Sequence, residues 1–359
     1  MSKKIGIVNS GGDCPGLNTV IDAVVQSLSP EYEVYGFYRG FEGLHANNYS
    51  LLEPNFTKDR RFDGGTFLKS VNKGHFAGKT GTGDLNQINP KLLQEAAQNY
   101  HNLGLEALVV LGGDGSMATA CQFLNYGINL IGVPKSIDND LMGTDFTFGF
   151  NTAVEIVSEA LDRIATTAKS HDRIMILEVM GRHAGWISLY SGLSGGADMI
   201  LIPEIPFTDQ LVVDFFKARY AAGQTSGLVV VSEGAKNQNG KVLTKNLGSQ
   251  SSEIKLGGIG QYIEELLNSQ PELEARCTVL GHTQRGGGPN STDRILSRSY
   301  GAFAGQMVRE RRYSQMVGFV DGVFGSSPIE NSLKEIKLVD PQGDFVARAR
   351  QLGVSFGDR

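Results

Sequence analysis

The chain has 359 residues, longer than one hydrophobic core usually supports, so its length predicts two domains with a cleft for a small ligand. With 40% apolar and 20% charged residues, and no apolar run near the roughly 20 needed to span a bilayer, the composition is that of a soluble protein. A net charge of -5 supplies no global field for nucleic acid, so any anionic ligand has to be met by local donors.

The first segment, MSKKIGIVNS, is too short in its apolar part for a signal peptide and reads directly as a strand, so a cytoplasmic location is expected. Strand-length runs follow in chain order: KIGIVNS, EVYGFY, ALVVLGG, LIGVP, RIMILEVMG, DMILIPE, GLVVVSEGA, CTVLGH and VGFV. Most alternate with helix-length stretches such as GLNTVIDAVVQSLS, NTAVEIVSEALDRIATTAKS and QLVVDFFKARYAAG, which predicts an α/β fold. Unbroken Val/Ile/Leu runs predict mostly parallel strands buried on both faces. The 46 glycines gather at strand ends, where they make tight turns rather than tethers. Cys14, Cys121 and Cys277 are odd in number and lack CxxC spacing, so reduced thiols are expected. On that footing the Asn-x-Ser/Thr triplets at Asn48, Asn55 and Asn290 are chance matches.

Polar clusters follow the strands, where open parallel sheets collect ligands. Gly11-Gly12-Asp13 and Gly112-Gly113-Asp114-Gly115-Ser116 each stand between a strand and a helix, at presumed adjacent strand ends. Exposed amides and the positive end of a helix dipole suit such junctions to phosphate, although paired glycines also simply turn a chain. Neither cluster is the dinucleotide fingerprint. GHFAGKT resembles a Walker loop, but has three residues between Gly74 and Gly78 where four are required, and no strand precedes it.

Two carboxylates with an amide between them close the run IGVPKSIDND. If that segment is extended, Asp138 and Asp140 project to one side while Asn139 faces away. Asp114 is a candidate third carboxylate, and hard oxygens with water and phosphate suit magnesium, leaving one acid to take a proton from a hydroxyl. An isolated DND also reads as a capped turn. Arg173, Arg182, His183, Arg276, His282 and Arg285 flank the other strands, and a guanidinium fork matches phosphate. Glu233 ends a strand and reads as an acceptor for sugar hydroxyls or as a turn acid. Trp186 and the apolar stripe of residues 211 to 220 read as core.

SGGDCPGLN, LGGDGS, PKSIDND, GTDFTFGFNTA, EVMGRHAG and LGHTQRGG occur in the order in which the 6-phosphofructokinase family carries them, so residues 3 to about 325 resemble that family. The resemblance implies two doubly wound α/β domains with the active site in the interdomain cleft. Residues 1–149 plus about 284–325 would bind the donor, and 150–283 plus about 326–359 fructose 6-phosphate. It further implies a magnesium-dependent transfer from ATP to the 1-hydroxyl of fructose 6-phosphate in a homo-oligomer, expected to be a tetramer.

Position by position, Asp138 resembles the catalytic base, Asp140 and Asp114 the residues near magnesium, and Ser136 a residue near the transferring phosphoryl group. Gly11 resembles the glycine at the terminal phosphate, with Gly12, Gly113, Gly115 and Ser116 completing the donor loops. Met180, Gly181, Arg182, Glu233, His282 and Arg285 match sugar-phosphate positions, with Arg182 also placed to stabilise charge in transfer. Arg173 and Arg276 match arginines that enter a neighbouring subunit's site.

Departures from the family pattern bear on the donor. Gly115 follows the nucleotide-dependent pattern, in which a second aspartate would obstruct the α-phosphate, whereas Lys135 resembles pyrophosphate-dependent and mixed enzymes. The reading gives Gly115 more weight, taking Lys135 as flexible enough to serve a nucleotide phosphate; pyrophosphate and other nucleotides stay open. Where bacterial enzymes carry a bridging arginine, this chain has Asn72, so Lys73 or Lys79 is expected to bridge. Asp22 and Gln26 replace two effector-site arginines, which argues against the familiar control there. Lipid and NAD kinases share GGDG but not the other motifs, and a catalytically silent sensor would not need all of the aspartates.

Overall fold

The computed structural model describes residues 3–72, 74–79, 84–238 and 258–359. Its first stretch runs β1 (Lys3–Asn9), α1 (Leu17–Leu28), β2 (Tyr32–Phe37), α2 (Phe41–His45), β3 (Tyr49–Leu51) and α3 (Pro54–Arg60). Next come α4 (Pro90–Leu103), β4 (Leu105–Gly112), α5 (Asp114–Leu124), β5 (Leu130–Ser136), β6 (Phe148–Gly149) and α6 (Phe150–Ser170). Then follow β7 (Ile174–Val179), α7 (Trp186–Ser194), β8 (Met199–Leu201), α8 (Asp209–Ala221), β9 (Gly227–Ser232), α9 (Ile259–Asn268) and β10 (Ala275–Val279). The chain ends with a 3-10 turn (Gly281–Arg285), α10 (Ser291–Arg309), β11 (Gln315–Val320), β12 (Val323–Pro328) and α11 (Asp344–Gln351).

Two units result. The first comprises Met1–Ile137, Leu141–Thr152 and Arg285–Ile336; the second comprises Asp138–Asp140, Ala153–Gln284 and Lys337–Arg359. In the first, the strands are ordered β12-β11-β5-β4-β1-β2-β3, with β6 against β5. The neighbours from β11 to β2 are parallel, and the two edge strands β12 and β3 are antiparallel. That β11–β12 hairpin keeps the chain in the first unit as far as Ile336. The second unit holds an all-parallel sheet ordered β10-β7-β9-β8.

The apolar runs behave as their unbroken hydrophobicity requires: β7 and β9 are buried along their whole length. Between sheet and helices, Val8, Leu108, Val110, Met117 and Phe123 close one core, and Ile176, Leu201, Val229, Val231 and Ile263 the other. Each such side chain contributes roughly 1.5–3 kcal/mol by leaving water. One strand departs from the expectation. β10 is a sheet edge, and Arg276, Thr278 and Val279 on it are exposed, because only β7 covers it. Trp186 also differs from the core reading: it is half-buried, and its indole Nε1 donates to the Lys337 carbonyl at 2.8 Å. The apolar stripe of α8 does pack inward through Val212, Val213 and Phe216.

Candidate functional site

In the first unit the register of β1 against β4 sets two turns side by side. Ser10 N donates to Leu111 O at 3.0 Å, joining the loop after β1 to the end of β4. Gly11 has φ 81°, the left-handed region that a side chain resists, and a Cβ there would lie 3.3 Å from both Lys135 Nζ and Ser116 Oγ. The glycine therefore lets a backbone loop sit between a buried hydroxyl and a buried ammonium. Lys135 is only 5% exposed, and its Nζ donates to the Gly12 carbonyl. This corrects the view of a flexible lysine: the ammonium is held beneath the loop, and its charge acts from that fixed place. Arg285 stands against the same loop, donating from Nη1 to Asp13 O at 3.1 Å. At Gly12 a Cβ would lie 2.7 Å from that guanidinium, so the small residue admits the arginine.

Asp114 opens α5 and receives the Gly115 amide on Oδ1 at 2.6 Å. Lys79 Nζ sits 2.9 Å from its Oδ2. Asn72 lines a cavity of about 280 Å³ with Gly11, Asp13, Thr66, Lys69 and Ser70, so it lies beside the loop after β1. Lys73 falls outside the described residues. Ser136 ends β5, and its carbonyl accepts from Thr147 Oγ1 at 2.6 Å.

In the second unit the acid pair does not sit on an extended segment. Asn139 has φ 53° and is 1% exposed, while Asp138 and Asp140 are partly exposed on either side. Asparagine tolerates the left-handed turn, and this bend, rather than strand alternation, separates the amide from the acids. The Asp140 carbonyl accepts from Lys337 N at 3.0 Å.

Parallel pairing of β7 with β9 brings Val179 opposite Ser232, so the loops that follow meet. Glu233 N donates to Val179 O at 2.8 Å, and Gly234 N to Gly181 O at 3.1 Å. A Cβ on Gly234 would lie 2.1 Å from the Arg182 carbonyl, which fixes glycine there. Met180 N donates to the side chain of Gln284, which is fully buried, at 3.2 Å. Met180, Gly181, Arg182 and Glu233 thus share one end of the sheet, and His282 is exposed on the turn beyond β10 at that end.

Arg173 and Arg276 lie at the other end. Arg173 precedes β7, Arg276 pairs with Met175 near its start, and both guanidiniums bind Glu274 Oε1 at 2.8 Å. Six residues of strand separate Arg173 from Met180, roughly 20 Å at about 3.3 Å per residue, and four separate Met175, the partner of Arg276, from it.

One partly buried acid and one buried acid have no signal in the sequence. Glu204 accepts from Gly185 N and Val339 N, each at 2.9 Å, which braces the loop after β7; burial raises its pKa. Asp293 is wholly buried and accepts from Thr152 N at 2.7 Å and Oγ1 at 2.6 Å. Desolvation raises its pKa from the ordinary aspartate value, opposed by those bonds. Nothing local in PEIP or TDRI signals either role. In the loop after β1, burial pushes the Cys14 thiol up to about 12, with Lys135 opposing.

Residues 4–308 match the model of the family described as Phosphofructokinase. The chain is 44% identical to a protein of Clostridium perfringens named ATP-dependent 6-phosphofructokinase 2, over 99% of each chain. It is also 44% identical to the ATP-dependent 6-phosphofructokinase of Chloroflexus aurantiacus, over 99% of this chain and 98% of that one. Among solved structures, phosphofructokinase from Saccharomyces cerevisiae matches with a TM-score of 0.78 at 28% identity, covering 93% of this chain. The chain spans only 45% of the length of that yeast chain.

Proposed function

The chain belongs to the phosphofructokinase family, and on that premise we propose that it transfers the terminal phosphoryl group of ATP to the 1-hydroxyl of fructose 6-phosphate. The observation that carries the reading is the donor loop, with Gly11 over Ser116 and Lys135, and with Arg285 against Gly12 and Asp13. An anion laid on that loop meets the amino end of α5 and two fixed cations, which is the charge environment that phosphoryl transfer demands. The first unit is then the donor-binding domain and the second the sugar-phosphate domain. Ser136 of one and Asp138 of the other are two residues apart in the chain.

Asp138 is assigned as the base that takes the sugar hydroxyl proton. Met180, Gly181, Arg182, Glu233 and His282 hold the sugar phosphate, and Arg182 also steadies charge on the transferring group. Arg285 is assigned to the junction of donor and acceptor phosphates, because its guanidinium stands on the donor loop. Arg173, about 20 Å from Met180 along the sheet, and Arg276, bound to the same Glu274, complete the sugar site of a neighbouring copy. The active species is then an oligomer, a tetramer by resemblance, in the cytoplasm. No helix among the described residues is long and apolar enough to cross a membrane.

Magnesium fits Asp114. A cation, Lys79 Nζ, already sits on that carboxylate, and the described residues hold no group of three or more His, Cys, Asp or Glu that would form a closed metal cage. Magnesium characteristically takes one or two carboxylates and leaves other positions to phosphate and water, so Asp114 and Asp140 are the assigned holders. When bound, the ion neutralises charge on the donor's phosphates.

The deciding experiment offers purified protein fructose 6-phosphate and magnesium with ATP, ADP, GTP or pyrophosphate in parallel, and follows fructose 1,6-bisphosphate. Turnover with ATP supports the reading; turnover with pyrophosphate alone overturns the donor.

A further inference from the structure

We propose that Lys79 is the resident cation of the Asp114 carboxylate. It moves onto the donor's phosphate oxygens when a divalent ion takes its place, and so supplies the bridging charge that Asn72 cannot. The inference rests on the donor assignment above and adds the residue that couples metal entry to donor binding.

The lysine is not a loose surface group. Its side chain is 13% exposed, and the strand of chain that carries it is pinned to α5 and its surroundings. Thr119 Oγ1 donates to Phe76 O at 2.8 Å, Asn86 Nδ2 to Ala77 O at 2.7 Å, and Asn86 N to Gly78 O at 2.9 Å. Gln122 in turn holds the Asn86 carbonyl at 2.9 Å. Gly78 allows this approach, since a Cβ there would lie 2.5 Å from Thr119 N and 2.6 Å from Gly115 O. Lys79 also forms a wall of the donor site: a Cβ at Gly115 would lie 3.8 Å from Lys79 Cβ.

Asp114 does not need the lysine in order to fold. Its carboxylate sits in the first turn of α5 and already accepts the Gly115 amide, a position where negative charge is favourable without a counter-ion. A lysine tethered there competes with any other cation for the same oxygen. Once a divalent ion binds, the ammonium is left beside a doubly neutralised carboxylate, and the nearest unmet negative charge is the donor's phosphate. A long flexible stem with three donors suits such an exchange.

The test is donor-free Mn²⁺ binding, read from the electron paramagnetic resonance of the free ion, in wild type, K79M, K79Q and D114N. Removing the competitor should tighten Mn²⁺ about fivefold or more in K79M and K79Q. D114N should lose the site. With ATP and magnesium, K79M should raise the donor KM about tenfold and leave the fructose 6-phosphate KM within about twofold. Mn²⁺ affinity that stays equal or weakens, or an unchanged donor KM, overturns the proposal. Loss of folding in both lysine variants, seen in a thermal melt, also overturns it by making the pair structural. The Mn²⁺ measurement needs no turnover. Failure of the kinase reading appears as no transfer from any donor to fructose 6-phosphate in wild type, while failure of the exchange appears in an active enzyme.

Discussion

Substituting Gly115 by aspartate tests the donor assignment through a change that the fold should tolerate. The position is the second residue of α5, its backbone is ordinary, and among the described residues the only atom near a new Cβ is Lys79 Cβ at an ordinary 3.8 Å. Replacing a helical glycine by aspartate gains about 0.3 kcal/mol in propensity, and an acid in the first turn about 0.3–1 kcal/mol. Repulsion from the adjacent Asp114 offsets part of this, so the melting temperature should hold or rise. Donor binding should respond in the opposite direction. A carboxylate about 5 Å from a nucleotide α-phosphate, at an effective dielectric of about 20, costs about 3 kcal/mol, on the order of a hundredfold in kcat/KM. Pyrophosphate has no phosphate at that place and should lose far less. The assay is kcat/KM for ATP and for pyrophosphate at saturating fructose 6-phosphate, beside a thermal melt, with Gly115→Ala separating bulk from charge. An equal loss with every donor, or a loss matched by a fall in melting temperature, would refute the reasoning.

Asp138→Asn should lower kcat by about 10² to 10⁴ while calorimetry still registers fructose 6-phosphate; near-normal turnover would remove the base assignment. Asp293 carries a raised folded pKa, so between its unfolded value and that higher one the native state holds a proton that the unfolded chain has released, and stability from this group falls as pH rises through the window. Asp293→Asn should therefore cost most near pH 4 and least near pH 8 in denaturant titrations, and a cost that grows with pH would contradict this. With its thiol buried and pushed up to about 12, Cys14 should resist iodoacetamide at pH 8 until the protein unfolds, which mass spectrometry of labelled peptides reads directly. Labelling in the native state at the denatured rate would rule that burial out.

Local sequence determined the elements and the places where chemistry gathers. Short, β-branched apolar runs bounded by glycine turns read as strands between two covered faces, so β1, β4, β5, β7 and β9 were legible, and the glycine pairs after β1 and β4 marked backbone that must stay open. Period and composition are properties of a few neighbouring residues, and they survive in one dimension. Partnership does not. The left-handed turn at Asn139, the burial of Lys135 against Gly12, the ion pair of Lys79 with Asp114, and the seats of Glu204 and Asp293 all join residues whose contact depends on which strands lie side by side. An acid in PEIP and one in TDRI look alike in a sequence. Only the packing around them removes the water that would otherwise set their pKa, and so decides which becomes a brace and which stays a surface charge.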